Sequence, residues 1–261
     1  MKVWRIAITG LLALLIIAFA LLWFLPARWA MPWLDARLNG VRLQEVSGLL
    51  WDGKAGQVLS ARGENLGTLQ WRLSRYALLG DNRLHVELHG PRVDVVGTMT
   101  GSRATEASWT DVQMRIDLAV LGGNPLVLGG VPRGTLRATA GNIQLRGGWP
   151  WSMDTRVEWQ DAALSMPRQG ELRLGSMHAE LHAVNGVIDG PVKDDGHGPL
   201  RVGGRLQLSP LARRFDAVAA PRGNDPALQR WLAGFGAVDA DGVTHIHYSG
   251  GLAAALPGEQ R

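Results

Sequence analysis

The sequence predicts a mainly β protein in which one N-terminal transmembrane helix precedes an antiparallel β domain with one or two short helices. The 34 glycines and 13 prolines divide the chain into short segments, most of which alternate apolar and polar residues. Such alternation is typical of strands with one buried face. The pattern suits a curved open sheet, a sandwich or a jelly-roll-like fold, and it leaves these three architectures open.

The predicted membrane anchor comprises residues 6–25, which contain no charged side chain and follow Lys2 and Arg5. Roughly 20 apolar residues in a helix cross the ~30 Å hydrocarbon core of a bilayer. The positive-inside rule places residues 1–5 in the cytoplasm and sends the long C-terminal part across the membrane. The predicted anchor residues include Ile6, Leu11, Leu15, Phe19, Leu22 and Leu25.

A cleaved secretory signal is the alternative for this segment, because residues 18–20 read Ala-Phe-Ala, a form that a signal peptidase accepts. Cleavage there would leave an apolar stretch at the new N-terminus. The uncut run is also longer than the ~7–15 apolar residues of an ordinary signal. The sequence therefore favours an uncleaved anchor.

The exported part is predicted to contain a tether at residues 26–40, a β-rich domain at residues 41–252 and a disordered tail at residues 253–261. The chain has no cysteine, so neither disulfides nor thiolate metal ligands are available. The net charge is only +4, and arginines are interspersed with acidic residues. This distribution argues against a nucleic-acid-binding surface, which needs clustered basic residues.

About thirteen to fifteen strands are predicted from the alternation. Clear examples are residues 84–88, 112–118 and 206–208. Short helices are expected at residues 74–79 and 225–235, the second beginning with Asp-Pro, an N-cap followed by proline at the first helical position. Residues 189–199, which mix glycine and proline with charged residues, are predicted to form a loop.

No catalytic, cofactor-binding or metal-binding residues are predicted. Six of the seven histidines form three pairs that would share a strand face, at positions 85 and 89, 178 and 182, and 245 and 247. A metal site needs a third or fourth converging ligand, and the sequence has no HExxH motif. It also lacks a GxSxG elbow, a P-loop and a GxGxxG turn, so we expect a protein that is not an enzyme.

Tryptophan is unusually frequent, with 11 residues beside two tyrosines and four phenylalanines. Trp149, Trp151 and Trp159 lie close together in sequence and could form a cluster on one sheet face. Such a cluster fits either core packing or an exposed apolar platform for a protein partner or a lipid.

The segment after the tether reads S-G-L-L-W-D-G at residues 47–53, and a W-R-L strand follows at residues 71–73. We expect a strand, a turn at Asp52-Gly53 and a buried Trp51 that closes the membrane-proximal end of the core. This pattern resembles the S-G-T-L-W-S-G signature and following W-R-L strand of type II secretion system protein N, with Leu49 and Asp52 replacing the small Thr and Ser. The motif residues are Ser47, Gly48, Trp51, Gly53, Trp71 and Leu73.

The resemblance extends to residues 157–159, residues 224–228 and a final strand near residue 248, so it covers almost the whole chain. It implies a single-pass inner-membrane protein of Gram-negative bacteria with a periplasmic β domain. The implied function is that of an accessory, non-enzymatic scaffold or connector of the type II secretion system, which moves folded exoproteins from the periplasm across the outer membrane. The implied partners are the secretin or inner-membrane platform proteins, and no cofactor is implied.

The alternative function is a periplasmic lipid-binding β-groove protein of AsmA-like type, a similarity of architecture that counts only as analogy. A filled interior with exposed strand edges would favour a protein partner, whereas a continuous apolar trough would favour lipid. Alternation cannot distinguish these interiors, because both show one apolar face.

Overall fold

A computed structural model of the chain describes residues 14, 21–32, 38, 40–80, 82–103, 105–121, 129–166 and 170–251. Most of the predicted anchor lies outside the described residues, including Ile6, Leu11, Leu15 and Phe19, as does the predicted tail at 253–261. Within the described part, no helix has the length and apolar character needed to cross a membrane. The anchor at residues 6–25 and the boundaries of the tether, β domain and tail stay predictions.

The chain divides into two compact units, Met1–Pro91 and Arg92–Arg261. Among the elements described in the first unit are four antiparallel strands and the short 3-10 helices at Ala27–Trp29 and Arg75–Leu79. The strands are β1 (Arg42–Gly48), β2 (Asp52–Leu59), β3 (Asn65–Leu73) and β4 (Asn82–His89).

The described residues of the second unit form nine antiparallel strands, a 3-10 helix at Leu118–Leu121 and a short α-helix, α1 (Pro226–Leu232). Its strands are β5 (Val93–Arg103), β6 (Glu106–Asp117), β7 (Val131–Arg146), β8 (Trp149–Met166), β9 (Gly170–Val184), β10 (Val187–Asp194), β11 (Leu200–Leu208), β12 (Ala212–Pro221) and β13 (Thr244–Gly251).

Within each unit, every strand pairs with the next strand in the chain, so the strands of each unit form an open antiparallel meander. Of the three architectures that the sequence leaves open, the open sheet is therefore the one observed. Tight turns between strands account for glycines that recur along the sequence. In the β9–β10 turn, for example, Asn185 and Gly186 both have positive φ. That conformation matches the twist of the flanking strands.

Local patterns predict most of the elements. The alternating segments at residues 84–88, 112–118 and 206–208 lie in β4, β6 and β11, the second with its last residue in the following 3-10 helix, which confirms those strands. The helix expected at residues 74–79 is the 3-10 helix that Ser74 caps. Asp225 caps α1 by accepting hydrogen bonds from the N–H groups of Ala227 and Leu228.

The loop predicted at residues 189–199 is wrong over its first half, because β10 continues to Asp194 and includes Pro191. Asp189 forms an ion pair with Arg205 of the neighbouring strand. Ion pairs thus satisfy two of the charges in this segment, that of Asp189 and that of Asp194, which pairs with Arg222.

The main core lies in the second unit, where α1 covers one face of the sheet. Leu228 and Leu232, one helical turn apart, are fully buried. They pack with inward-facing residues of β8, β9, β11 and β12, which include Leu164, Leu174 and Ala219. Burial of this face fixes the strand register, since a shift by one residue would turn the apolar side chains outward.

Candidate interaction sites

The motif at residues 47–53 forms the β1–β2 hairpin. Ser47 pairs with Lys54 and Gly48 with Gly53. The Leu49 N–H donates to the Asp52 carbonyl oxygen at 2.9 Å, which closes a turn whose central residues are Leu50 and Trp51. The turn expected at Asp52-Gly53 is therefore wrong by two residues, because β2 already begins at Asp52.

Both motif glycines occupy positions where a side chain would collide. Gly48 has φ of +88°, and a Cβ atom there would lie 2.6 Å from the Asp52 carbonyl oxygen. At Gly53 a Cβ atom would lie 2.3 Å from the Trp71 ring. The absence of a side chain at Gly53 leaves room for the Trp71 indole beside the hairpin.

The two motif tryptophans connect the hairpin to its surroundings through their indole N–H groups. Trp51 is 3% exposed, which confirms the expected burial, and its Nε1 donates to the Leu22 carbonyl oxygen at 3.1 Å. Trp71 Nε1 donates to the Leu50 carbonyl oxygen at 3.0 Å. The Leu73 N–H donates to the Trp51 carbonyl oxygen at 2.7 Å, so the structure brings all six motif residues together.

The motif hairpin also holds the C-terminal end of the predicted anchor and the residues that follow it. The Leu50 N–H donates to the Leu25 carbonyl oxygen at 2.9 Å, and Pro26 forms an antiparallel bridge with Leu49. Ala27 is fully buried. The geometry makes the hairpin a docking point for residues 22–27, a structural use of the motif that needs no reactive side chain.

A second candidate site is an apolar cavity of about 630 Å³ in the second unit, between the sheet and α1. Inward-facing residues of six consecutive strands and residues of α1 line it. They are Trp159, Leu174, Met177, Val192, Leu200, Val202, Arg213, Phe215, Ala219, Trp231, Leu232, Phe235, Ile246 and Tyr248. Its volume falls within the usual range for small-molecule sites, roughly 300–1,000 Å³.

Arg213 is the one cationic residue in the lining of this cavity and is exposed at the start of β12. Its guanidinium carbon lies 5.4 Å from the centroid of the Tyr248 ring. Among the described residues, no carboxylate lies within ion-pair distance of Arg213. The cavity thus has an apolar body and a cation at one end, an arrangement suited to an anionic amphiphile.

Just after the C-terminal end of β12, Arg222 forms an ion pair with Asp194, the last residue of β10. The Arg222 guanidinium also donates to the carbonyl oxygens of Gly198 and Leu200. Burial acts to raise the pKa of Asp194, but hydrogen bonds from Arg222 and from the N–H groups of Val202 and Gly196 outweigh it. The pKa of Asp194 therefore lies below its ordinary value.

The outer edge of β13 is a third candidate site. Its first residues are covered, because Val238 bridges Thr244 and the His245 N–H donates to the Ala237 carbonyl oxygen. Since backbone groups alternate along a strand, the N–H groups of His247 and Ser249 face the same edge. Within the described part of the chain, β12 is the only strand paired with β13.

At least one histidine of each pair contacts a carboxylate. His85 and His89 both contact Glu87, at 2.9 and 3.4 Å, and the hydrogen bond from His85 is the main cause that lowers the pKa of Glu87. His182 lies 2.6 Å from Asp154. Among the described residues, no group of three or more histidine, aspartate or glutamate side chains could hold a metal ion.

The three tryptophans of β8 do not form one cluster. Trp149 donates to the Gly186 carbonyl oxygen, and Trp151 stacks against Arg146, so both lie beside the β9–β10 turn. Trp159, eight residues further along the strand, lines the cavity. Eight residues of a strand span about 26 Å, which explains the separation.

Sequence reasoning missed the cavity residues Arg213, Phe215 and Tyr248. Phe215 pairs with Tyr248 across β12 and β13, and Arg213 shares the inward face with Phe215. The alternation of β12 could have identified that face. The sequence could not identify the partner strand, because the pairing crosses more than 30 residues that include α1.

The comparisons with known proteins agree with the motif. The family model described as type II secretion system (T2SS), protein N, matches residues 39–247. A type II secretion system protein N of Aeromonas hydrophila is 28% identical over 253 residues, which cover 91% of this chain and 96% of the relative. No solved structure matches the chain. The family match covers most of the chain and includes the hairpin built by Ser47, Gly48, Trp51 and Gly53, so the chain belongs to the type II secretion system protein N family.

Proposed function

We propose that this protein is an accessory component of the type II secretion system, a non-enzymatic scaffold or connector that helps folded exoproteins to pass from the periplasm across the outer membrane. Its N-terminal residues 6–25 anchor it in the inner membrane, and its sheets lie in the periplasm. Membership of the protein N family supports the proposal most directly.

The open edge of β13 is the proposed contact surface for another secretion component, such as the secretin or an inner-membrane platform protein. Unpaired N–H and C=O groups of an edge strand can accept a further strand from a partner. The backbone groups of His247 and Ser249 are placed for this pairing, beyond the part of the edge that Ala237 covers. The small side chain of Ser249 leaves room for an approaching strand.

The connector proposal is tested by measuring secretion in cells whose wild-type protein is replaced by a Ser249→Pro variant. Proline removes the N–H that would bind a partner strand, yet an edge strand tolerates it because that N–H has no partner within the sheet. We expect less exoprotein outside the cell than with the wild type. The control, Leu211→Ser, changes an exposed residue of the β11–β12 turn and should leave secretion unchanged.

Thermal melting of both variants separates loss of binding from loss of folding. Unchanged secretion by a Ser249→Pro variant that is present at the normal level would contradict the β13 edge as the contact surface. A melting temperature equal to that of the wild type is expected for both proteins.

A second candidate function is lipid binding, which the apolar cavity of the second unit favours. Along β12, the lining runs from Arg213 to Ala219, about 20 Å of strand. One acyl chain spans half of the ~30 Å hydrocarbon core, about 15 Å, and so fits this length. Arg213 at the open end would contact an anionic headgroup.

Lipid that copurifies with the full-length protein, measured by mass spectrometry, tests this second function. Ala219→Phe fills the cavity and should abolish copurification, and Arg213→Ala should favour zwitterionic over anionic lipids. The control is Val218→Phe, because Val218 is the adjacent β12 residue and faces away from the cavity. Equal lipid content in all variants and the wild type would contradict a lipid site in the cavity.

A further inference from the structure

We propose that the turn between β3 and β4 is a second membrane contact, which lies in the headgroup layer beside the end of the anchor. This inference rests on the proposed membrane anchor at residues 6–25. It does not depend on which secretion component the protein binds. The turn consists of the 3-10 helix Arg75–Leu79 and Gly80.

The turn exposes apolar side chains that the fold does not use. Leu79 is 83% exposed, and Tyr76 and Leu78 are also exposed. No residue of this 3-10 helix is buried. Three large apolar or aromatic side chains in one exposed turn mark a contact surface and have no role in the core of the first unit.

The position of the turn identifies the bilayer as its occupant. The Arg75 guanidinium carbon lies 4.5 Å from the centroid of the Trp23 ring. The neighbouring carbonyl group, that of Leu22, accepts the hydrogen bond from Trp51. The turn therefore lies beside the C-terminal end of the predicted anchor, where the chain must leave the hydrocarbon core.

The composition around this position matches a membrane interface. Phe24 and Trp29 are exposed, as are the apolar side chains of the β3–β4 turn. In membrane proteins, tryptophan and tyrosine are enriched at the level of the lipid headgroups. Residues 21–32 and 74–80 contain the cations Arg28 and Arg75 and no acidic side chain. Anionic headgroups attract such basic residues.

Together these contacts would fix the orientation of the first unit at the membrane. The motif hairpin already holds residues 22–27, and a second contact beside the end of the helix would hold the same end of the first unit against the bilayer. The β2–β3 turn, at the other end of the nine-residue β3, would then lie about 30 Å from the headgroups.

The absence of native cysteine permits a direct test with single-cysteine variants of the full-length protein. Leu79→Cys and the matched control Arg62→Cys, in the β2–β3 turn, are labelled with an environment-sensitive fluorophore. Both proteins are reconstituted in vesicles of equal parts phosphatidylethanolamine and phosphatidylglycerol. Quenching by a headgroup nitroxide lipid and by aqueous iodide is then measured.

We expect the nitroxide lipid to quench the label at position 79 and iodide to have little effect, with the reverse result at position 62. Quenching of position 79 by iodide, in protein that stays in the vesicles, would overturn the membrane contact and leave the proposed anchor intact. A label at 79 shielded from both quenchers would show that protein covers the turn, and this also overturns the proposal. Protein that does not remain in the vesicles would overturn the anchor and the inference together.

Discussion

The buried indole of Trp51 is the side chain whose loss should most destabilise the first unit. We expect Trp51→Ala to lower the free energy of unfolding by about 3–5 kcal/mol, because it removes a large apolar group and leaves a cavity. The hydrogen bond to the Leu22 carbonyl oxygen is lost as well. Circular dichroism during urea unfolding measures the change.

Trp29→Ala is the control for this prediction, since Trp29 is 64% exposed and its replacement should change stability by no more than about 0.5 kcal/mol. Equal stability of the Trp51 and Trp29 variants would contradict a packing role for the motif tryptophan. Trp51→Phe should give an intermediate result, because it keeps most of the apolar contact and loses the N–H donor.

Asp194 gives a prediction of pH dependence. The pKa of this carboxyl group is lowered in the folded protein, so its ionised form contributes stability above the unfolded pKa, about 3.9. That contribution is lost as the pH falls below this value and through the folded pKa. We expect Asp194→Asn to reduce stability at pH 7 by about 1–3 kcal/mol, because a charged hydrogen-bond acceptor is removed.

The difference between wild type and Asp194→Asn should shrink as the pH falls below about 4, where the carboxyl group of the unfolded chain takes up a proton while that of the folded protein is still ionised. Asp154→Asn serves as the control, because the Asp154 side chain is 84% exposed and its loss should have little effect. Urea unfolding at several pH values provides the measurement. A constant difference across this pH range would show that the charge of Asp194 is not responsible.

At the residue scale, the sequence predicts the burial of Trp51 but not the importance of Asp194. Tryptophan between two glycines already indicates close packing against a backbone. Asp194 lies in a segment whose glycines, prolines and charges read as a loop. Its partner Arg222 is 28 residues away, so only the tertiary fold shows the pair.

Among the elements, the motif hairpin depends on the absence of a side chain at Gly53. We expect Gly53→Ala to cost about 1–3 kcal/mol, because the methyl group would displace the Trp71 ring from its place on the hairpin. The matched control is Gly141→Ala in β7, where a Cβ atom meets no neighbour within 4 Å and φ is not positive. That change should be neutral or slightly stabilising.

Thermal melting of the full-length variants compares the two glycines. A loss of stability at Gly141 equal to that at Gly53 would indicate a general preference for glycine in these strands and would contradict the steric explanation.

Local patterns predict elements better than they predict turns and pairings. Period-two alternation identifies β4, β6 and β11, and the Asp-Pro pair identifies the start of α1. The β1–β2 turn is displaced because Gly48, with positive φ, ends β1 before the Asp52-Gly53 pair that normally signals a turn. The local sequence of β10 resembles a loop, because the pairing of Asp189 with Arg205 of the next strand is not visible in a local pattern.

For the whole molecule, membership of the protein N family is the basis of the proposed function, and the fold provides the surfaces through which the protein would act. Alternation predicts an antiparallel sheet, but it cannot predict that the second unit holds a cavity with Arg213 at one end. The face of a filled core and the face of a groove have the same period of two. The order of strands in the sheet and the position of α1 decide between them.

In-cell photo-crosslinking from the β13 edge tests the central claim, that this edge binds another secretion component. Photoreactive residues replace His247 and Ser249 at the edge, and Arg156 of the interior strand β8 as an exposed control. Mass spectrometry identifies the adducts. The account predicts adducts with the secretin or a platform protein from positions 247 and 249 and none from position 156. Lipid adducts alone, or the same adducts from all three positions, would contradict it.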